Sequence, residues 1–517
     1  MLKNIFFIMT LIFVGICHSQ QITWSKPFTL SQTGLFAAEP EIMVNENGTI
    51  IAVWSINNGT NFVIQASRST DGGRTWTNPQ DLSETIAGED ARNPRLAIND
   101  NDAAIVIWEK RVGANIRVQR SYSTNGGVSW SSPPVEISPP GDADSTKLVF
   151  NNNGNAVAVW RLLSGGIYET EVSRSPDNGN NWSTTTLSPI GITTENPDVC
   201  LNNSDEAIAI WEQTVGLDVL IRERHSANAG VSWTPVTDIS PAGDDYTQGK
   251  IALNENSVGI VVWKIMSAGI QTVQMRNTLD AGVSWKPVQD LSVSQVGLYT
   301  PFITINNSNH AVAFWTRNIS GNPIPETSYT KDSGGNWSTP RILSPNDSIN
   351  DHPEITMNNN DIVVPLYAQK INAQLITQTS ASFDGGVNWT IPQYISQPGA
   401  DENFHDVTAN DSNVILGIWD RDGIIQVSYA TIINLSSSQF SQRSVFQNQL
   451  VNGITWQPSA GSILYRVYSD PSLTDLLYEG TDLYYYDGAK KGQSKTYYFV
   501  LVDSNGNESI AEVVTIP

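Results

Sequence analysis

Cysteine is nearly missing from this 517-residue chain, which has two, and charge is sparse at 15% of residues. Cys17 falls in an N-terminal leader, so the mature chain keeps only Cys200 and an intramolecular disulfide is excluded. Cys200 lies in Pro197–Leu201, an expected strand, where it reads as a buried structural thiol. The shortage of charge excludes coiled coils and long exposed helices, and a 39% hydrophobic content excludes a disordered chain. Basic residues are scarce: 29 Lys and Arg face 51 Asp and Glu, for a net charge of −22. A nucleic-acid backbone would be repelled, so no nucleic-acid partner is expected. Histidine is rare and scattered, with no ligand-like spacing, so neither a metal nor a cofactor is expected. Beyond the leader no apolar run is long enough to cross a membrane.

Lys3 and the apolar run Ile5–Ile16, followed by Cys17-His18-Ser19, read as a signal peptide over residues 1–19, cleaved after Ser19. The protein is thus expected to be exported, to the periplasm, the cell envelope or beyond, and to be a monomer.

Abundant Trp (16) and Gly (38) point to many short strands joined by tight turns. A box of the form Ser/Thr-x-Asp/Asn-x-Gly-x-x-Trp recurs seven times, ending at Trp76, Trp130, Trp182, Trp233, Trp285, Trp337 and Trp389. The period is about 52 residues. A second ladder of apolar runs ends in Trp54, Trp108, Trp160, Trp211, Trp263, Trp315, Tyr367 and Trp419. Each unit reads as four antiparallel strands, A to D. A ends at an Asn-rich turn, B at the aromatic, and the box turns C into D. Such a period of four-stranded units predicts a propeller blade. The N-terminal Trp24–Ser31 matches a D strand without a box, and the last unit has A, B and C but no D. Pairing the two predicts an eight-bladed all-β propeller over residues 24–432, its last blade closed by the N-terminal strand.

The box acid (Asp71, Asn125, Asp177, Asn228, Asp280, Asp332 and Asp384) is expected to accept amide hydrogen bonds within its own turn, a structural role. These boxes resemble the Asp-box (BNR) repeat of sialidase-like propellers and other secreted propellers. The resemblance covers about four-fifths of the chain. It implies the fold and leaves activity open, because such folds host many functions.

Residues 433–447, rich in Ser and Gln, read as a linker. Residues 448–517 contain short β-rich runs and an early Trp456, and look like a fibronectin type III domain. Seventy residues is short for such a sandwich, so a strand is expected to be missing. Its expected role is that of a spacer.

Strand order puts the A–B turns and the boxes on one face, and the B–C and D–A loops on the other. Function is expected on the second face, where loops vary between blades. Two rings of residues should point there. The first follows the start of each A strand: Glu41, Arg95, Lys147, Asp198, Lys250, Phe302, Glu354 and Asp406. The second follows the B-strand aromatic: Glu109, Arg161, Glu212, Lys264 and Asp420, with Arg111, Arg317 and Arg421 nearby. The D–A loops add Asp142, Asp144, Asp244, Asp245, Tyr246, Tyr299, Asp351, His352, Asp401 and Glu402. A mixed-charge mouth over a rigid channel suits a glycan or an extracellular or periplasmic protein partner.

The resemblance to sialidases would require an arginine triad for a substrate carboxylate and a Tyr nucleophile activated by Glu. Arg95, in Asn93-Pro94-Arg95-Leu96, stands at the right strand position. The aromatic before it and the Pro after it are absent, and Lys147 and Lys250 occupy the corresponding positions in other blades. Arg161 and Arg317 would have to complete the triad, with Tyr246 or Tyr299 as nucleophile. The leading expectation is a non-catalytic recognition propeller. The alternatives are a sialidase-like glycoside hydrolase and a structural envelope or adhesion protein.

Overall fold

The computed structural model describes residues 17–295, 297–319, 322–344, 353–371, 374–397, 399–400, 402–443, 448–458, 462–487 and 494–516. Every regular element among them is a strand; none is a helix. The chain forms two compact units, Pro27–Tyr429 and a second one made of both chain ends, Met1–Lys26 and Ala430–Pro517.

The first unit is built from four-stranded antiparallel sheets that fit blades of a β-propeller-type fold. In the first of them A is Ala37–Val44, B is Ile50–Asn57, C is Phe62–Ser69 and D is Gln80–Asp81. The B strand is buried on both faces, because each sheet is stacked between two others. That is why its sequence is a continuous apolar run instead of an alternation. The B-strand aromatics Trp54, Trp108, Trp160, Trp211, Trp263, Trp315, Tyr367 and Trp419 are all fully buried. Truncating one to Ala would cost about 3–5 kcal/mol. Most D strands are two residues long, which keeps the outer edge a poor template for pairing with another chain.

The boxes make the turns expected of them. In the first, the Asp71 carboxylate accepts from the amides of Arg74 and Thr75, while Ser69 Oγ accepts from the Gly73 amide. Asn125 and Asn228 accept in the same way from Ser129 and Ser232. Gly73 has φ of 84°, and a Cβ there would collide with Leu416 Cδ2 of the neighbouring sheet. Glycine is therefore required twice over, for the turn and for the close approach between sheets.

The Asn-rich A–B turns do more than turn. Asn45 donates through Nδ2 to the Asn99 carbonyl, Asn99 to Asn151, Asn151 to Asn202, and Asn202 to Asn254. Asn254 donates to Asn306, Asn306 to Asn358, Asn358 to Asn410, and Asn410 back to Asn45, all at 2.8–3.4 Å. A second circle runs beside it. The amide of each following residue donates to the side chain of its counterpart in the next sheet, from Glu46 through Asp100, Asn152, Asn203, Glu255, Asn307, Asn359 and Asp411 back to Glu46. At about 1 kcal/mol net for each bond, these two circles tie the sheets into a closed ring at the box end.

The chain ends contribute as follows. Phe28–Thr29 pairs with Gln426–Val427 of the strand Ile424–Arg443, beside Ile415–Arg421 and Glu402–Ala409. The residues before it, Cys17–Trp24, instead pair with Ala430–Ser437 in the second unit. Residues 433–447, read from sequence as a linker, continue that same strand as far as Arg443, paired with Asn448–Trp456. Backbone ladder bonds do not depend on side-chain polarity, so a Ser/Gln-rich stretch can still be strand. The signal-peptide reading falls on residues 1–16, outside the described residues, and on Cys17–Ser19, which open the first strand.

The second unit has two antiparallel sheets. One holds Ser462–Tyr468, Leu476–Gly480, Lys495–Asp503 and Glu512–Ile516; the other includes Asn448–Trp456 and Tyr484–Asp487. Their shared core packs Trp456 against Tyr465 and Phe499, with Val467, Tyr497 and Ile516 around them. The N-terminal strand Cys17–Trp24 and the continuation of Ile424–Arg443 supply the pairing that seventy C-terminal residues alone would lack.

Candidate functional site

The A strands line a cavity of about 670 Å³ in the first unit. A bulge places their side chains. Register breaks between Ala38 and Glu41, Arg92 and Arg95, Asp144 and Lys147, Glu195 and Asp198, and Thr247 and Lys250. The residue two before the channel position is left-handed in each case: Glu39, Asn93, Ser145, Asn196 and Gln248, with φ of 47–59°. Five non-glycine residues in this region, at equivalent places, mark strain held by the surrounding fold.

Of the first ring, Glu41, Arg95, Lys147, Lys250, Phe302, Glu354 and Asp406 line the cavity, and Asp198 does not. Three of the acids also connect neighbouring A strands. Glu41 accepts from the Leu96 amide at 2.8 Å, Asp406 from Ile42 at 2.8 Å and Asp198 from Ile251 at 3.2 Å. Arg95 is held by Glu41 at 2.5 Å and donates Nε to the Thr146 carbonyl.

The three remaining charges have no such partners. Lys147, Lys250 and Glu354 make no hydrogen bond and no ion pair with the described residues, although all three line the cavity. The Lys250 ammonium lies 6.0 Å from the centroid of the Phe302 ring. The Lys250 ammonium, then burial, then Arg95 push Lys147 down to about 8. Burial raises the Glu354 carboxyl above the ordinary carboxylate range, against the pull of Lys147 and Lys250. Asp406 is raised well above its usual value by burial and by the neighbouring Glu41 and Glu354 carboxylates.

The second ring lies outside the cavity wall and is spent on local structure. Glu109 is buried and accepts from Asn93 Nδ2 at 2.7 Å; burial pushes it up to about 7. Glu212 is buried, raised by that burial, and accepts from the Gln248 amide and Asn196 Nδ2. Arg161 is paired with Asp144 and Glu195. Arg317 meets Glu326 at 2.7 Å, and Arg421 lies 3.9 Å from Glu402. The bulges explain part of this pattern. At two of them the amide of the left-handed residue, Asn93 or Gln248, donates to a carboxylate of the preceding sheet, Glu39 or Glu212.

The arginines of the sialidase pattern do not converge, since Arg161 and Arg317 are engaged away from the cavity that holds Arg95. Tyr246 is buried edge-on against Trp263, whereas Tyr299 lines the cavity. Of the D–A loop acids, Asp142 and Asp245 accept backbone amides, from Ile116 and Val219, and Glu402 is fully buried beneath Thr377 and Ser396. Asp351, His352 and Asp401 lie outside the described residues.

Lining residues that the sequence did not single out as candidates are Glu39, Asn93, Gln248 and His405 on the wall, and Met43, Leu96 and Leu148 as apolar lining. A sequence signal for the bulge exists. A proline at mid-strand after Glu39, Asn93 or Asn196 cannot sit in a regular ladder and marks an irregular pairing.

No family model matches the chain, and no curated protein matches it. Among solved structures, a polysaccharide lyase described as a PL25 ulvan lyase aligns at 10% identity over 71% of this chain and 97% of its own, with a TM-score of 0.46. An α-L-arabinanase from Penicillium chrysogenum aligns at 14% identity over 60% and 98%, with a TM-score of 0.36. The leech intramolecular trans-sialidase aligns at 11% identity over 78% and 70%, with a TM-score of 0.35.

Proposed function

We propose that this chain is an exported recognition protein: an eight-bladed Asp-box propeller with a fibronectin type III-like second unit, binding a polar glycan in the A-strand cavity without catalysing its turnover. One observation carries the reading. Lys147, Lys250 and Glu354 face a cavity and make no hydrogen bond or ion pair among the described residues, feeling one another only at a distance. Holding unpaired charges half-buried costs stability, and a ligand is what recovers it. Sugars supply the hydroxyl donors and acceptors such groups need. Tyr299 and Phe302 on the same wall offer aromatic surface beside them. The walls are rigid sheets, so the site is preorganised and little ordering cost is left for binding.

The test is a glycan array with the secreted protein, repeated with the Lys147→Ala/Lys250→Ala double variant. Binding of a glycan class that the variant loses supports the reading. No binding by the native protein, or binding indifferent to both lysines, overturns it. Release of sugar from a bound glycan in the same samples would replace recognition by catalysis.

A further inference from the structure

The cavity charges are sorted by side. Following the inner strands around the ring, Glu354, Asp406 and Glu41 come from three consecutive sheets. Arg95 follows on the next, Lys147 on the one after, and Lys250 two further on. Glu41 and Arg95 neutralise one another at the seam. What remains at the cavity is an acidic wall, Glu354 with Asp406, and a basic wall, Lys147 with Lys250; Asp198, on the strand between the two lysines, does not line the cavity and is turned to the Ile251 and Val199 amides. Lys147 and Glu354 stand four strands apart in either direction around the ring of contacting A strands, hence on opposite walls; no ion pair joins them among the described residues, and they attract one another only across the cavity. Each wall also repels itself: Lys250 is the largest influence lowering Lys147, and Glu354 is among those raising Asp406.

We propose that the cavity takes a zwitterionic ligand, with its anionic group between Lys147 and Lys250 and its cationic group against Glu354 and Asp406. The proposal rests on the recognition reading above and names its ligand class, a sugar carrying both a carboxylate and a free amine. An anion alone would satisfy one wall and be repelled by the other; a cation alone would fail in the mirror sense. A dipolar ligand relieves both repulsions together, and its orientation is fixed by the walls. The same chemistry is offered by a free amino acid with separated ends, so the source must be decided by experiment.

Titration calorimetry on the full-length mature protein at pH 7 would use muramic acid as the zwitterionic sugar, glucuronate and glucosamine as its single-charge counterparts, and 6-aminohexanoate as the sugar-free zwitterion. Muramic acid should bind at least tenfold more tightly than either single-charge sugar. Charged hydrogen bonds of this kind are each worth about tenfold or more. Lys147→Ala should erase the advantage over glucosamine, and Glu354→Gln the advantage over glucuronate. Circular dichroism would confirm that each variant is folded. Glucuronate binding as tightly as muramic acid overturns the zwitterion proposal and leaves glycan recognition standing. 6-Aminohexanoate binding as tightly as muramic acid keeps the dipolar site and overturns the glycan reading. Binding by none of the four overturns the proposal, and the array then decides glycan recognition separately.

Discussion

The two ends of the same channel differ in how their polar groups are used. At the box end, each Asn of the A–B turns is bonded both to its own turn and to the next sheet, and the circle closes from Asn410 to Asn45. Towards the loop end, a few residues along the same strands, Lys147 and Lys250 beside their bulges and Glu354 on its own strand make no hydrogen bond or ion pair among the described residues. The contrast shows where this repeat spends stability and where it withholds it. Satisfied circles make a scaffold, and the unsatisfied wall is what a scaffold can hold in place.

The largest effect should come from opening a circle. Asn254 donates to the Asn306 carbonyl and accepts from the amides of Asn256 and Val258, all in a buried turn. Asn254→Ala strands those groups and should cost about 2–4 kcal/mol in denaturant unfolding. A loss below about 1 kcal/mol would mean that the circle is decorative.

The loop end should behave in the opposite way. Lys147→Met should stabilise the protein by about 1–3 kcal/mol at pH 7, because the folded state depresses the lysine to about 8. The sign follows from linkage. A protonated Lys147 is penalised only when folded, so the native protein gains stability as pH rises from 8 towards 10.5, and the advantage of the variant fades there. Unchanged melting at pH 7 would remove the idea of a strained wall.

Glu109 sharpens the same point just behind the wall. Its folded pKa is raised to about 7, so its contribution to stability is lost as pH rises from the ordinary glutamate value through 7. Glu109→Gln, which can still accept from Asn93, should match the native protein at pH 4 and exceed it by about 1–2 kcal/mol at pH 8. Parallel pH profiles for the two proteins would refute this.

The smallest effect belongs to the boxes. The Asn336 amide and the hydroxyl of Thr330 hold Asp332 below the usual carboxylate range. Its stabilisation is therefore present at neutral pH and is lost as pH falls through and below 3.8. Asp332→Asn should cost under about 1 kcal/mol at pH 7, since Asn125 and Asn228 already do the same work elsewhere. A loss above 2 kcal/mol would give the box acid a role beyond its turn.

Much of the scaffold was legible in the chain. Seven boxes and eight buried aromatics at one period name the repeating unit, because turn chemistry and burial act within a few residues. The candidate site was legible only in part. Glu41, Arg95, Lys147, Asp198, Lys250, Glu354 and Asp406 were placed on the channel by periodicity alone; all but Asp198 line the cavity. Glu109, Arg161, Glu212, Arg317 and Arg421 follow equally regular spacing, yet the bulges and neighbouring acids and amides engage them elsewhere.

By itself, then, the sequence determined the unit, its turns and the direction of its strands, since these depend on local backbone preference and side-chain period. Tertiary structure alone decided which charges are spent. Asp198 and Lys147 are neighbours in the same ring of positions, but one accepts from the Ile251 amide while the other makes no hydrogen bond among the described residues and is influenced most by a second lysine. Whether a charge finds a partner depends on atoms some fifty residues away, brought close by the stacking of sheets, and no local pattern records that distance.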